Sequence, residues 1–157
     1  MTAATDTEWE LDVRARKMTR AAQIIAGFLV VAHIGAAVVL RSGGDTGVHL
    51  RVADQIAMVL IGLVVAAGVL LFTRPRLRVG ASGISIRNMF QEKHFGWSHV
   101  RGISFPHDAP WAHLELPDDE YLAVVAVQAR DGAHAVDALE RFRAIEARYG
   151  RGVGADG

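Results

Sequence analysis

Four histidines in the C-terminal half, His94, His99, His107 and His113, stand near Asp108 and Glu115. Imidazole with carboxylate is a donor set for a divalent metal. No pair has the H-x-x-x-H spacing that places two rings on one helix face, and no zinc pattern is present, so surface or strand-edge histidines are expected. Asp118, Asp119 and Glu120 put three acids in one turn, which a solvated hairpin tip explains without a cation. There is no G-x-S-x-G, no phosphate-binding glycine loop and no dinucleotide fingerprint. The absence of cysteine rules out disulfides, thiolate zinc sites and cysteine nucleophiles. The 17 basic and 17 acidic residues give no charge footprint for nucleic acid. These residues point to a non-enzymatic protein with no cofactor and no metal.

The elements that would position such groups begin with two apolar runs. Residues 21–40 carry no formal charge, and Gln23 and His33 are their polar interruptions. Residues 56–72 have no polar side chain. Both runs reach the length needed to cross a bilayer core and lack the polar stripe of a surface helix. The expectation is a two-helix transmembrane hairpin over 21–72 with an external loop at 41–55. Flanking cations set its orientation: Arg14, Arg16, Lys17, Arg20, Arg74, Arg76 and Arg78 lie outside the hairpin, against Arg41 and Arg51 in the loop. Both termini are therefore expected in the cytoplasm. Gly27, Gly35, Gly62, Ala66 and Gly68 mark close helix approach, with Gly62 and Ala66 as a small-xxx-small pair available to this hairpin or to an oligomer. His33 falls at mid-span, level with Ile61 and Gly62, where no side chain can pair with it; a neutral ring bonded to backbone is expected.

Residues 1–20 read as a cytosolic tail. Trp9, Leu11 and Val13 alternate with acids, but the stretch is short, and a flexible or weakly helical segment is expected. From Pro75 the period becomes two. Leu77 and Val79 alternate with arginines, Gly80 to Gly83 form a turn, and Ile84 and Ile86 follow. Gln91 to Lys93 form a polar turn, and further short strands run through Val100–Phe105, Trp111–Leu116 and Tyr121–Gln128. Asp131 is the expected N-cap of a final helix with Val136, Leu139, Phe142, Ile145 and Tyr149 on its buried face and Gly150 as its stop. Residues 151–157 are read as a disordered tail. Trp97, Phe105 and Phe142 are assigned to the core.

Short antiparallel strands closed by one C-terminal helix resemble the pleckstrin-homology (PH) superfold. The run RLRVGASGISIRN followed by FGWSHVRGISF looks like the bacterial PH-like domains of small actinobacterial membrane proteins, in which two membrane helices precede the domain. Their Trp-x-x-Val signature matches Trp97 and Val100; the family often has an acid where this chain has His99. The resemblance implies a membrane hairpin followed by an α+β PH-like domain at 73–150, a small barrel or sandwich of six to seven strands. It also implies a membrane-anchored interaction module or accessory subunit with a protein partner. Trp111 and Tyr121 are candidate partner-surface residues. The alternative is an anionic-lipid headgroup sensor using Arg74, Arg76 and Arg78, although the turn Gly80–Gly83 carries none of the basic residues that phosphoinositide binding needs beside the first turn.

Overall fold

The computed structural model describes residues 9–42 and 51–150. The expected tail 151–157 and most of the expected external loop lie outside those residues. Two compact units emerge, and they are not consecutive in sequence. One contains residues 18–73; the other combines residues before 18 with residues from 74 onward.

The first unit holds α1 (Arg16–Ser42), which begins in the other unit, and α2 (Val52–Leu70). Both helices are long and apolar enough to cross a membrane, and only 11% of the most apolar window of each is buried. α2 opens a turn earlier than its apolar run because the Asp54 carboxylate accepts the Arg51 amide (2.9 Å) and organises the first turn. A 3-10 turn, Leu71–Thr73, and Pro75 then stop it.

The second unit is a seven-stranded domain closed by α3 (Ala133–Tyr149). Its first sheet has the order β1 (Trp9–Arg14), β2 (Arg76–Gly80), β3 (Gly83–Arg87) and β4 (Glu92–Phe95); its second is β5 (Gly102–Ser104), β6 (Trp111–Glu115) and β7 (Tyr121–Gln128). All pairings are antiparallel. The core is shared by both sheets and α3, with Leu11, Val13, Leu77, Val79, Ile84, Ile86, Leu114, Val124 and Phe142 all buried. This is the architecture expected of a PH-like domain.

Several local expectations need correction. The tail is not flexible or weakly helical over 9–14: its alternation is a strand, with Leu11 and Val13 buried between the sheets. The compact unit therefore also takes in residues before 18, while the helices still precede β2 to β7. They are inserted between its first and second strands. Gln91–Lys93 is not a turn, because Glu92 and Lys93 already pair with Arg87 and Ile86. Ser85 is buried, and its hydroxyl donates to Glu92 Oε1 (2.9 Å). On α3, Val136 is exposed; the buried face runs through Ala135, Ala138, Phe142 and Ile145 at helical spacing, and Val136 lies one position off it.

Gly83 is required where it stands. Its φ of +131° suits glycine, and a Cβ would lie 2.2 Å from the Phe95 carbonyl oxygen. The Trp-x-x-Val motif is a 3-10 turn, Trp97–His99, whose ends are in the core. The Trp97 indole donates to the Gly80 carbonyl (3.1 Å) and tilts against Phe142 at 6.0 Å between ring centroids. Trp97 and Val100 thus pack at one end of the domain, while Ser98 and His99 face solvent.

Candidate functional site

The opposite end of the domain is where the chain leaves for the helices and returns. Arg14 of β1 pairs with Arg76 of β2, Arg76 with Arg87 of β3, and Arg87 with Glu92 of β4. These four residues form one row across the sheet, about 14 Å long at the usual strand spacing. The loop between β3 and β4, Asn88 to Gln91, projects from the same end.

Asp131 fastens this end. It is not the N-cap of α3, a position taken by Gly132 at a φ of +57° that suits glycine. Its buried carboxylate accepts the amide of Arg16 (3.1 Å) and the amide of Lys17 (3.1 Å), so it caps α1 from 115 residues away in sequence. The Lys17 ammonium donates to the Arg130 carbonyl. A carboxylate at a helix N-terminus satisfies orphan donors and opposes the positive end of the helix dipole. Replacing Asp131 by Ala is expected to cost about 1–2 kcal/mol. Hydrogen exchange should show Arg16 and Lys17 losing protection while the β2–β3 ladder keeps its own.

The three arginines expected to contact lipid do not act alike. Arg76 donates through Nε (2.6 Å) and Nη2 to the Asp12 carboxylate, so it is committed to the fold. Arg78 is half-buried, while Arg74 is exposed. The Arg76 hydrogen bonds hold the Asp12 carboxyl below its ordinary 3.8, against the opposing cost of burial and with further help from the charges of Arg76, Arg14 and Arg78. The folded protein therefore binds fewer protons at Asp12 than the unfolded chain. The stabilisation is complete above pH 3.8 and is lost as pH falls through the lower folded value. Thermal unfolding of Asp12→Asn against the unsubstituted protein should show a deficit of roughly 0.2–1 kcal/mol at neutral pH. That deficit should shrink toward zero in acid.

Trp111 and Tyr121 are not brought together. Trp111 pairs with Gln128 at one end of the β6–β7 ladder and Tyr121 with Glu115 at the other. Tyr121 is exposed and stacks on His113, with centroids 4.4 Å apart. Trp111 is half-buried and lines an open groove of about 390 Å³ with Met89, Phe90, Lys93, Leu122 and Val125. Asn88 fixes the loop over this groove: its side-chain amide donates to the Ala123 carbonyl (3.0 Å) and its backbone amide to the Gln91 carbonyl (2.9 Å). Phe90, which sequence reasoning passed over, is 80% exposed. The available signal was an apolar pair, Met89-Phe90, inside an otherwise polar turn.

Within the helical unit, Gly62 and Ala66 are buried. A Cβ on Gly62 would fall 2.5 Å from His33 Cγ, so this glycine is the space into which His33 packs. The His33 ring bonds through Nδ1 to the Leu29 carbonyl (2.7 Å). Gly62 thus packs against His33 within the hairpin. Gly27, Gly35 and Gly68 have no atom within 4 Å of a built Cβ, and theirs are the small-residue surfaces left open.

The histidines are dispersed: His94 on β4, His99 in the 3-10 turn, His107 between β5 and β6, and His113 on β6. Among the described residues no group of three or more histidine and acidic side chains has metal-holding geometry. Asp118 and Asp119 adopt φ of 62° and 57° in the exposed β6–β7 connection, a conformation that Asp tolerates better than most residues.

The family model of the bacterial PH domain matches residues 74–144. An uncharacterised protein of Mycobacterium bovis is 44% identical to this chain over 149 residues, covering 95% of this chain and 96% of its own length. Uncharacterised proteins of two Mycobacterium tuberculosis strains match with the same identity and coverage. No solved structure matches significantly.

Proposed function

The chain belongs to the bacterial PH domain family, and from that premise we propose that it is a membrane-anchored, non-catalytic interaction module or accessory subunit. One observation carries this reading. Two helices long and apolar enough to span a bilayer are inserted between two adjacent strands of the domain, so the domain is tethered at both Lys17 and Arg74. Large apolar side chains such as Ile24, Phe28, Val31 and Val64 are about 70% exposed on those helices, and lipid is the solvent that such surfaces suit. Because β1 pairs with β2, both helices together must return the chain to the side it left. That agrees with the cation distribution, which favours the cytoplasmic side of a bacterial plasma membrane. A domain held at the bilayer by two covalent links meets any membrane-bound partner at raised effective concentration.

The protein should resist alkaline extraction from membranes, and a reporter fused after residue 157 should be active only inside the cell. An outside-active reporter would sink the orientation. Purification of the full-length protein in mild detergent tests the subunit role. A stoichiometric membrane partner supports it, whereas a solitary protein shifts weight to lipid sensing.

The lipid-sensing reading is favoured by the exposed Arg14, Arg16, Lys17 and Arg74 at the tethered end. Under it, nanodiscs containing anionic lipid should raise the domain's melting temperature, and salt should erase the gain.

A further inference from the structure

We propose that the β3–β4 loop is a third attachment point, at which Phe90 and Met89 insert into the headgroup–acyl boundary of the bilayer. This rests on the membrane reading above and adds to it a surface that works through apolar insertion rather than charge. The geometry is internal to the domain. Arg14, Arg76, Arg87 and Glu92 share one row, so the loop that joins Arg87 to Glu92 stands at the end where the chain departs and returns. Across two strand spacings, the loop base is about 10 Å from the departing strand. At 80%, Phe90 is the most exposed large apolar residue among those described, and it is the one such residue in the domain that lies in a turn at this end. Water gives no reason to hold it out. Asn88 nevertheless pins the turn to β7, so the ring's projection is built rather than incidental. Met89, Trp111, Leu122 and Val125 continue the apolar surface below it, and Lys93 lies beside the groove. With the exposed Arg14, Arg16, Lys17 and Arg74 at the same end, the composition is that of an interfacial anchor: an aromatic tip with cations at its end of the sheet that suit anionic headgroups.

The chain has no cysteine, so one introduced thiol is a unique label. A fluorophore would be placed at Gln91→Cys, beside an intact Phe90, and in a second protein at Ser82→Cys, in the exposed turn at the far end of the sheet. The full chain would be reconstituted into vesicles of phosphatidylethanolamine and phosphatidylglycerol carrying a nitroxide either on the headgroup or high on the acyl chain. Insertion to the usual interfacial depth predicts quenching at 91 about threefold or more above that at 82, with the acyl nitroxide the better quencher. Phe90→Asp should abolish the acyl component. Quenching by the headgroup label alone, equal quenching at 91 and 82, or indifference to Phe90→Asp would each overturn the proposal. A protein that does not float with the vesicles would overturn the membrane reading itself, whereas one that floats without acyl quenching overturns this inference alone.

Discussion

A fragment beginning at Arg74, although it contains the whole of the matched family segment, is expected to be unfolded. Joining residues 9–15 to 74–150 through a short glycine-rich turn should restore a folded, soluble domain. Leu11 and Val13 of β1 and the following Ala15 enter the interior, each at most 5% exposed. Burying a leucine or valine side chain stabilises by about 1.5–3 kcal/mol. Its loss also strips the ladder from β2, exposes Leu77 and Val79 from one side, and removes the Asp12 partner of Arg76. Together these approach the 5–15 kcal/mol that holds a typical domain folded. The rejoining is geometrically simple, because Arg14 and Arg76 are antiparallel register partners and a hairpin turn spans such a pair. Dispersed amide resonances in the rejoined protein and collapsed ones in the fragment are the expected spectra. A fragment as well folded as the rejoined protein would show that β1 is dispensable.

Phe142→Ala should be the most damaging single core truncation, at about 3–5 kcal/mol. Phe142 is fully buried and is the largest of the fully buried side chains. It supports the tilted Trp97 ring, and Trp97 in turn holds the Gly80 carbonyl at the β2–β3 turn. Denaturant unfolding followed by tryptophan fluorescence measures the loss. Val136→Ala on the same helix is the control. Since Val136 is 55% exposed, it should change stability by less than about 0.5 kcal/mol. A large effect at Val136 would restore the buried face first read from periodicity.

Most of the fold was legible because period-two patterning and turn residues agree from Leu77 to Gln128. The largest misreading has a plain physical origin: β1 is separated from its partner by the whole hairpin. Its alternation of Trp9, Leu11 and Val13 with acids is a sound strand signal, but nothing local says what covers it. The error then propagated. Without β1, Gly80–Gly83 reads as the first turn of the fold, and it carries no cation. The first connection is the one between Arg14 and Arg76, and it carries Arg16, Lys17 and Arg74 at its ends. Asp131 was misassigned for the same reason. Asp followed by Gly before an amphipathic helix is an ordinary capping signal, and a carboxylate that serves a helix 115 residues earlier cannot be seen in sequence. The open groove under Phe90 was illegible because its lining comes from β3, β4, β6, β7 and a loop.

The discontinuity of the domain also imposes an order on biosynthesis. β1 leaves the ribosome first, and Arg76, which binds Asp12, is polymerised 64 residues later. At about 5–20 residues per second that is roughly 3–13 s during which β1 has no partner. An unpaired apolar strand is an aggregation hazard over that interval. Here every second residue is charged: Glu8, Glu10, Asp12 and Arg14 alternate with Trp9, Leu11 and Val13. The acids that later bind Arg76, Arg148 and Tyr149 thus first serve as gatekeepers, keeping the waiting strand in solution until its sheet arrives.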